Sequence, residues 1–118
     1  MDPHLAANPG HRAAVVWLDR SHALVARSLH GHPAVTEVDR AIDPEASYLL
    51  RIIHEAADCD RLVVMGPDAS RVAFEREYVA LYRRPDRLID VGRVETPRDA
   101  DLVDTLRLLE PSPAELHN

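Results

Sequence analysis

From Ala13 to Leu18 the chain is apolar at every position, and the run ends on Asp19. A short, near-continuous apolar run suits a central strand buried on both faces. Arg20 and Ser21 make a brief connection, and His22 to Leu29, carrying Leu24, Val25 and Ala26, reads as a second strand. His30–Gly31–His32–Pro33 should stop it, since glycine permits a tight turn and proline cannot continue a ladder. A third strand, from about Ala34 to Asp39, alternates Val35, Glu37 and Val38 imperfectly and belongs toward an edge. Together these three predict an antiparallel meander.

The period then changes. Asp43–Pro44–Glu45 supplies a cap, a proline at the first helical position and an acid in the first turn. Leu49, Ile52, Ile53 and Ala56 recur at helical spacing, with His54 packed beside them and an end near Asp58. Arg61 to Met65 is the clearest strand and stops at Gly66–Pro67, with Gly66 or Asp68 capping the next helix. That helix should bury Val72, Ala73, Val79 and Tyr82 and end at Pro85. Leu88 to Val94 predicts a fifth strand. Thr96 and Asp99, three apart, give a capping-box spacing before a helix with Leu102, Val103, Leu106 and Leu109 on one stripe.

The predicted order is β-β-β-α-β-α-β-α. Strands joined through helices lie parallel by right-handed crossovers. The expected architecture is an α/β mixed five-stranded sheet, an antiparallel meander followed by parallel strands, with three helices. The domain should run from 13 to 109, between flexible tails at 1–12 and 110–118 that are rich in Pro and polar residues.

Composition narrows the chemistry. The 118 residues suffice for one core, and 46% apolar content argues against disorder. The apolar runs are too short to span a bilayer, and the N-terminus lacks a basic-then-apolar leader, which assigns a cytoplasmic location by default. Cys59 is the single cysteine, so an intrachain disulfide is excluded. It sits between Asp58 and Asp60, whose carboxylates disfavour a thiolate, and reads as a small, partly buried side chain. A net charge of −6 opposes a broad nucleic-acid face but allows a local basic patch. All cations are arginine, and glutamine is absent.

The order and spacing of three segments resemble a known family. Val15–Val16–Trp17–Leu18–Asp19, Leu62–Val63–Val64–Met65–Gly66–Pro67, and Asp90–Val91–Gly92–Arg93–Val94–Glu95–Thr96–Pro97–Arg98–Asp99 look like the corresponding elements of small bacterial proteins of the translational-machinery or host-attachment group. That group is similar to the middle domain of archaeal and eukaryotic peptide-chain release factors and of Pelota. The resemblance covers nearly all of 13–109. It implies a ribonuclease-H-like fold, in general without the nuclease carboxylates, and a ribosome- or tRNA-related binding role. Peptide release in that family needs a Gly-Gly-Gln tripeptide. This chain has no glutamine and no two adjacent glycines, so it lacks the means for that reaction.

Four constellations are candidates for function. Tyr82, Arg83, Arg84 and Arg87 form the densest cationic spot; guanidinium forks suit phosphate and Tyr82 can stack a base. The same arginines also suit a helix C-terminus as simple complements to its dipole. Gly66–Pro67 before a helix offers an anion-binding turn, opposed by Asp68 and equally well explained as a cap. Asp19, Asp68 and Asp90 stand at strand ends, where grouped carboxylates hold Mg²⁺ in ribonuclease-H-like nucleases; each also has an ordinary turn or cap role. His30 and His32 are two apart, a metal-pair spacing, but at a turn they read as solvent-exposed. The sequence therefore favours a non-catalytic binding module with no cofactor. The alternatives are a metal-dependent nuclease or phosphoesterase, and a homo-oligomeric structural protein whose sheet edge or face is covered by a second copy.

Overall fold

The computed structural model describes residues 12–56 and 59–109. Its strands are β1 (Ala13–Leu18), β2 (His22–Leu29), β3 (His32–Asp39), β4 (Arg61–Met65) and β5 (Leu88–Gly92). Its helices are α1 (Glu45–Ala56), α2 (Asp68–Tyr82) and α3 (Asp99–Leu109), with a 3₁₀ turn at Pro85–Arg87. The sheet order is β3-β2-β1-β4-β5, antiparallel across β1–β2–β3 and parallel across β1–β4–β5.

The apolar run at 13–18 becomes the middle strand, and all six of its residues are buried. Alternation divides them between two cores. Ala14, Val16 and Leu18 join Ile52, Ile53, Phe74 and Tyr78 beneath α1 and α2. Ala13, Val15 and Trp17 join Val63, Met65, Leu102 and Leu106 beneath α3. The sheet is thus a layer between helices, which is why β1 carries no polar position.

Several local expectations need correction. β3 starts at His32, so Pro33 lies within the strand. His30 and Gly31 have φ of 53° and 84°, and Leu29 faces His32, so the hairpin closes in two residues. Proline is tolerated because β3 is an edge strand. On α1, Tyr48 joins the predicted stripe, whereas His54 is exposed rather than packed. The expected end near Asp58 lies outside the described residues. On α2 the buried side chains are Ser70, Phe74 and Tyr78; Val72 and Tyr82 are exposed, and Ala73 and Val79 are half-buried. The two aromatic rings, stacked at 6.4 Å, win that face from the smaller aliphatics because they bury more area.

The helix starts also differ. Pro67 occupies the N-cap of α2 with no side-chain cap, so neither Gly66 nor Asp68 serves as one. α3 is capped by Asp101 Oδ2, which accepts from the Arg98 N–H at 2.9 Å, not by the Thr96–Asp99 pair. β5 ends at Gly92 rather than Val94, after a register shift beside Val64 and Met65. Cys59 is fully within the core, at 3% exposure. Arg12, expected in a tail, accepts from the N–H groups of Asp60 and Arg61, which ties it to the start of β4. The remainder of both expected tails lies outside the described residues.

Candidate functional site

The parallel strands β1, β4 and β5 end at one rim of the sheet, and there the chain parts in two directions. It leaves β1 by a hairpin to β2 and leaves β4 through Gly66–Pro67 into α2. Such switch points leave a crevice beyond the strand ends. Here it is a cavity of about 140 Å³ lined by Trp17, Asp19, Pro67, Arg93, Glu95 and Thr96, among others. Trp17 forms one wall and donates from Nε1 to the Val94 carbonyl at 2.8 Å.

Two backbone features fix this rim. Gly66 has φ of 126°, and its N–H donates to the Gly92 carbonyl at 3.1 Å. A Cβ on Gly66 would stand 2.1 Å from the Leu18 carbonyl oxygen. Glycine is therefore required there by close approach as well as by dihedral. Asp19 sets the other side. Its Oδ1 accepts from Ser21 N at 2.8 Å, Ser21 Oγ at 3.0 Å and His22 N at 2.9 Å. Burial alone would raise its pKa, but these donors outweigh burial and hold the carboxyl below its ordinary value. Tyr48 Oη donates to the Asp19 carbonyl at 2.9 Å, and burial, then the charge of Asp19, pushes the phenol pKa upward.

Of the three strand-end carboxylates, the structure brings two together, and it does so around a cation. Arg71 on α2 donates to both Asp68 and Asp90, and its Nε reaches the Gly66 carbonyl at 2.8 Å. Asp19 is committed to its turn. Glu75, one turn along α2, hydrogen-bonds Asp90. Burial, then Asp90, drives its pKa up to about 7, while Glu75 and Arg71 hold Asp90 below its ordinary value. Among the described residues, no group of three or more His, Cys, Asp and Glu is placed to hold a metal ion. His30 and His32 are exposed at the β2–β3 turn.

The arginine cluster lies at the other end of α2. Arg83 adopts φ of 57° and closes the helix with an N–H to Val79 O bond of 2.8 Å. Arg84 grips Asp86 with two bonds of 3.0 and 2.8 Å, which lowers the Asp86 pKa to about 2. Arg87 hydrogen-bonds Tyr78. Tyr82 stacks obliquely on Tyr78 at 5.0 Å and remains 41% exposed. Two of the three cations thus have local partners. Sequence reasoning missed Arg71, Glu75 and Tyr48. The i,i+3 spacing of Asp68 and Arg71 was the one local signal; the contacts of Glu75 and Tyr48 are non-local.

No family profile matches the sequence, and no curated protein sequence matches it. Solved structures do share the fold. Pelota from Archaeoglobus fulgidus superposes with a TM-score of 0.61 at 14% identity, over 89% of this chain and 34% of that one. An archaeal translation termination factor gives 0.57 at 13%, over 92% and 37%. Pelota from Thermoplasma acidophilum gives 0.52 at 17%, over 95% and 36%. This chain spans about a third of each. The fold is thus shared with Pelota and with a translation termination factor, as the resemblance implied.

Proposed function

We propose that this chain is a non-catalytic, cytoplasmic binding module associated with translation, equivalent to one domain of the larger factors whose fold it shares. The observation that carries this reading is the match of nearly the whole chain to about a third of Pelota and of a translation termination factor. The chain lacks the glutamine and paired glycines of the peptide-release motif, so binding rather than peptide hydrolysis is the retained role. Tyr82, Arg83, Arg84 and Arg87 form the contact surface, with Tyr82 exposed for stacking and guanidinium groups beside it for phosphate.

Salt-dependent co-sedimentation with ribosomes and with bare tRNA tests this. Binding that weakens as salt rises, and that drops in a variant with Arg83→Glu and Arg84→Glu, supports the module and its surface. Equal pelleting of that variant removes the surface, and no pelleting at low salt removes the translation role. The metal-dependent hydrolase alternative rests on Asp19, Asp68 and Asp90. It is opposed by Arg71, which already neutralises two of them, and calorimetry with Mg²⁺ and Mn²⁺ decides it.

A further inference from the structure

The open edge of β3 lies beside a groove on the α1 side of the sheet. The groove has a volume of about 350 Å³ and is lined by Thr36, Val38, Leu50, Arg51, His54 and Glu55, with Glu37 at its rim. Val38 forms its floor as part of the core, and Leu50 is 43% exposed along its wall.

The hydrogen-bond phase of β3 tells which backbone groups are free. Leu29 faces His32 across the two-residue turn, and Arg40 N donates to Ser21 O at the far end of the same ladder. Antiparallel pairing alternates, so even-numbered residues of β3 direct N–H and C=O toward β2 and odd-numbered residues direct theirs outward. Pro33 agrees with this phase, because its missing N–H falls on the outward side. So does Asp39, whose carbonyl accepts from Arg51. Among the described residues, Val35 and Glu37 are left presenting donors and acceptors along the rim of the groove.

Side chains alternate as well. Val38 belongs to the α1 core and Val35 to the α3 core, which puts Thr36 on the groove face and Glu37 on the opposite one. Glu37 is exposed and makes no ion pair among the described residues. A strand added here would meet Val38 and Leu50, flanked by His54 and Glu55, on one face and the Glu37 carboxylate on the other. Arg51 does not offset that charge, since Asp43 holds it at 2.8 Å.

We infer that the β3 edge captures an extended peptide from a partner protein, one in which apolar and cationic residues alternate. Its backbone pairs with Val35 and Glu37, its apolar side chains enter the groove over Val38 and Leu50, and its cations face Glu37. The net charge of −6 favours the same partner. A second copy fits poorly. Self-pairing centred on Thr36 sets Pro33, which has no donor, opposite Asp39, whose carbonyl Arg51 already occupies. Self-pairing centred on Glu37 opposes two carboxylates.

The test is selection of random dodecapeptides displayed on phage against the full chain, followed by calorimetry with the synthesised winners. Glu37→Pro removes an outward N–H and the charge while leaving the bonds to β2 in place, at the cost of a fixed φ, and Glu37→Gln removes the charge alone. Leu50→Ser alters the exposed wall and serves as the second variant if Glu37→Pro fails to fold. The expected result is alternating apolar and cationic winners that bind about tenfold more weakly to Glu37→Pro and to Leu50→Ser, and a few-fold more weakly to Glu37→Gln. The inference is overturned by a selection with no enrichment, or by winners indifferent to both Glu37→Pro and Leu50→Ser. It is also overturned if light scattering shows a dimer that Glu37→Pro dissociates, which would make a second copy the occupant. Deletion of residues 110–118 that itself strengthens peptide binding about tenfold would make the chain's own end the occupant, with the same consequence.

Discussion

Glu75 on α2 is in hydrogen-bond contact with Asp90 on β5, and its Oε2 is buried with no other hydrogen-bond partner among the described residues. Two carboxyls in contact hold one proton between them far more readily than two charges. Here burial keeps that proton on Glu75, which then donates to an ionised Asp90.

The consequence for stability has a definite sign. The folded pKa of Glu75, about 7, exceeds its ordinary value of 4.5, so the native state binds the proton more tightly. Its contribution is complete below about pH 4.5, declines as pH rises, and is gone above pH 7. Asp90 has the opposite sign: its lowered pKa stabilises above its ordinary value, and acidification removes that contribution. Urea melts should therefore show stability falling by roughly 1–3 kcal/mol between pH 5 and pH 8. Glu75→Gln, which keeps a donor for Asp90, should flatten that slope. An unchanged slope in Glu75→Gln would show that another group titrates.

Arg71 is the cation that makes this cluster tolerable. Its guanidinium is mostly buried, with 11% of the side chain exposed, and it joins Asp68, Asp90 and the Gly66 carbonyl. Replacement by Met leaves Asp90 beside Glu75 with no counter-charge. The expected cost is about 2–3 kcal/mol at pH 8, where both acids ionise, and clearly less at pH 5, where Glu75 holds its proton. Denaturant midpoints at the two pH values measure the difference. Equal losses would assign Arg71 a packing role only.

These relationships mark where the sequence was readable. The run from Ala13 to Leu18 had no polar position, so its place between two helical layers was legible without a partner in view. The order of elements along the chain and the antiparallel meander followed from Pro, Gly and changes of period. The buried face of α2 was not legible. Val72, Ala73 and Val79 offered a plausible stripe, and only the packed core shows that Phe74 and Tyr78 take it. Pro33 was misplaced for a related reason: its meaning depends on which side of β3 is an edge, a fact of sheet order. The Glu75–Asp90 contact joins a helix to a strand beyond two turns, and no periodic pattern reports such a pair.

Asp19 invites a test that separates a turn role from a metal role. One oxygen accepts from three donors, all within Ser21 and His22. Asparagine retains that acceptor, whereas alanine removes it. Asp19→Ala should cost about 1–2 kcal/mol, and Asp19→Asn less than half as much. Thermal melts of the two variants check this. If Asp19→Asn is as damaging as Asp19→Ala, the charge matters beyond the turn.

The last prediction contrasts two glycines with positive φ. Gly31 has φ of 84° and nothing within 4 Å of a Cβ position. Gly66 has φ of 126° and a backbone oxygen at 2.1 Å, that of Leu18 in the central strand. Alanine at residue 31 meets only the dihedral penalty, about 1 kcal/mol, since the hairpin is exposed. Alanine at residue 66 must also push β4 away from β1. The contact cannot relax by rotating a side chain, because Leu18 O belongs to the buried strand and Gly66 N is tied to Gly92 O. The expected loss for Gly66→Ala is roughly 3 kcal/mol or more. Indole fluorescence of Trp17, which lines the same rim, should change in the native state of Gly66→Ala and stay unchanged in Gly31→Ala. Comparable urea midpoints for the two variants would mean that the rim is plastic, and that Gly66 serves the turn alone.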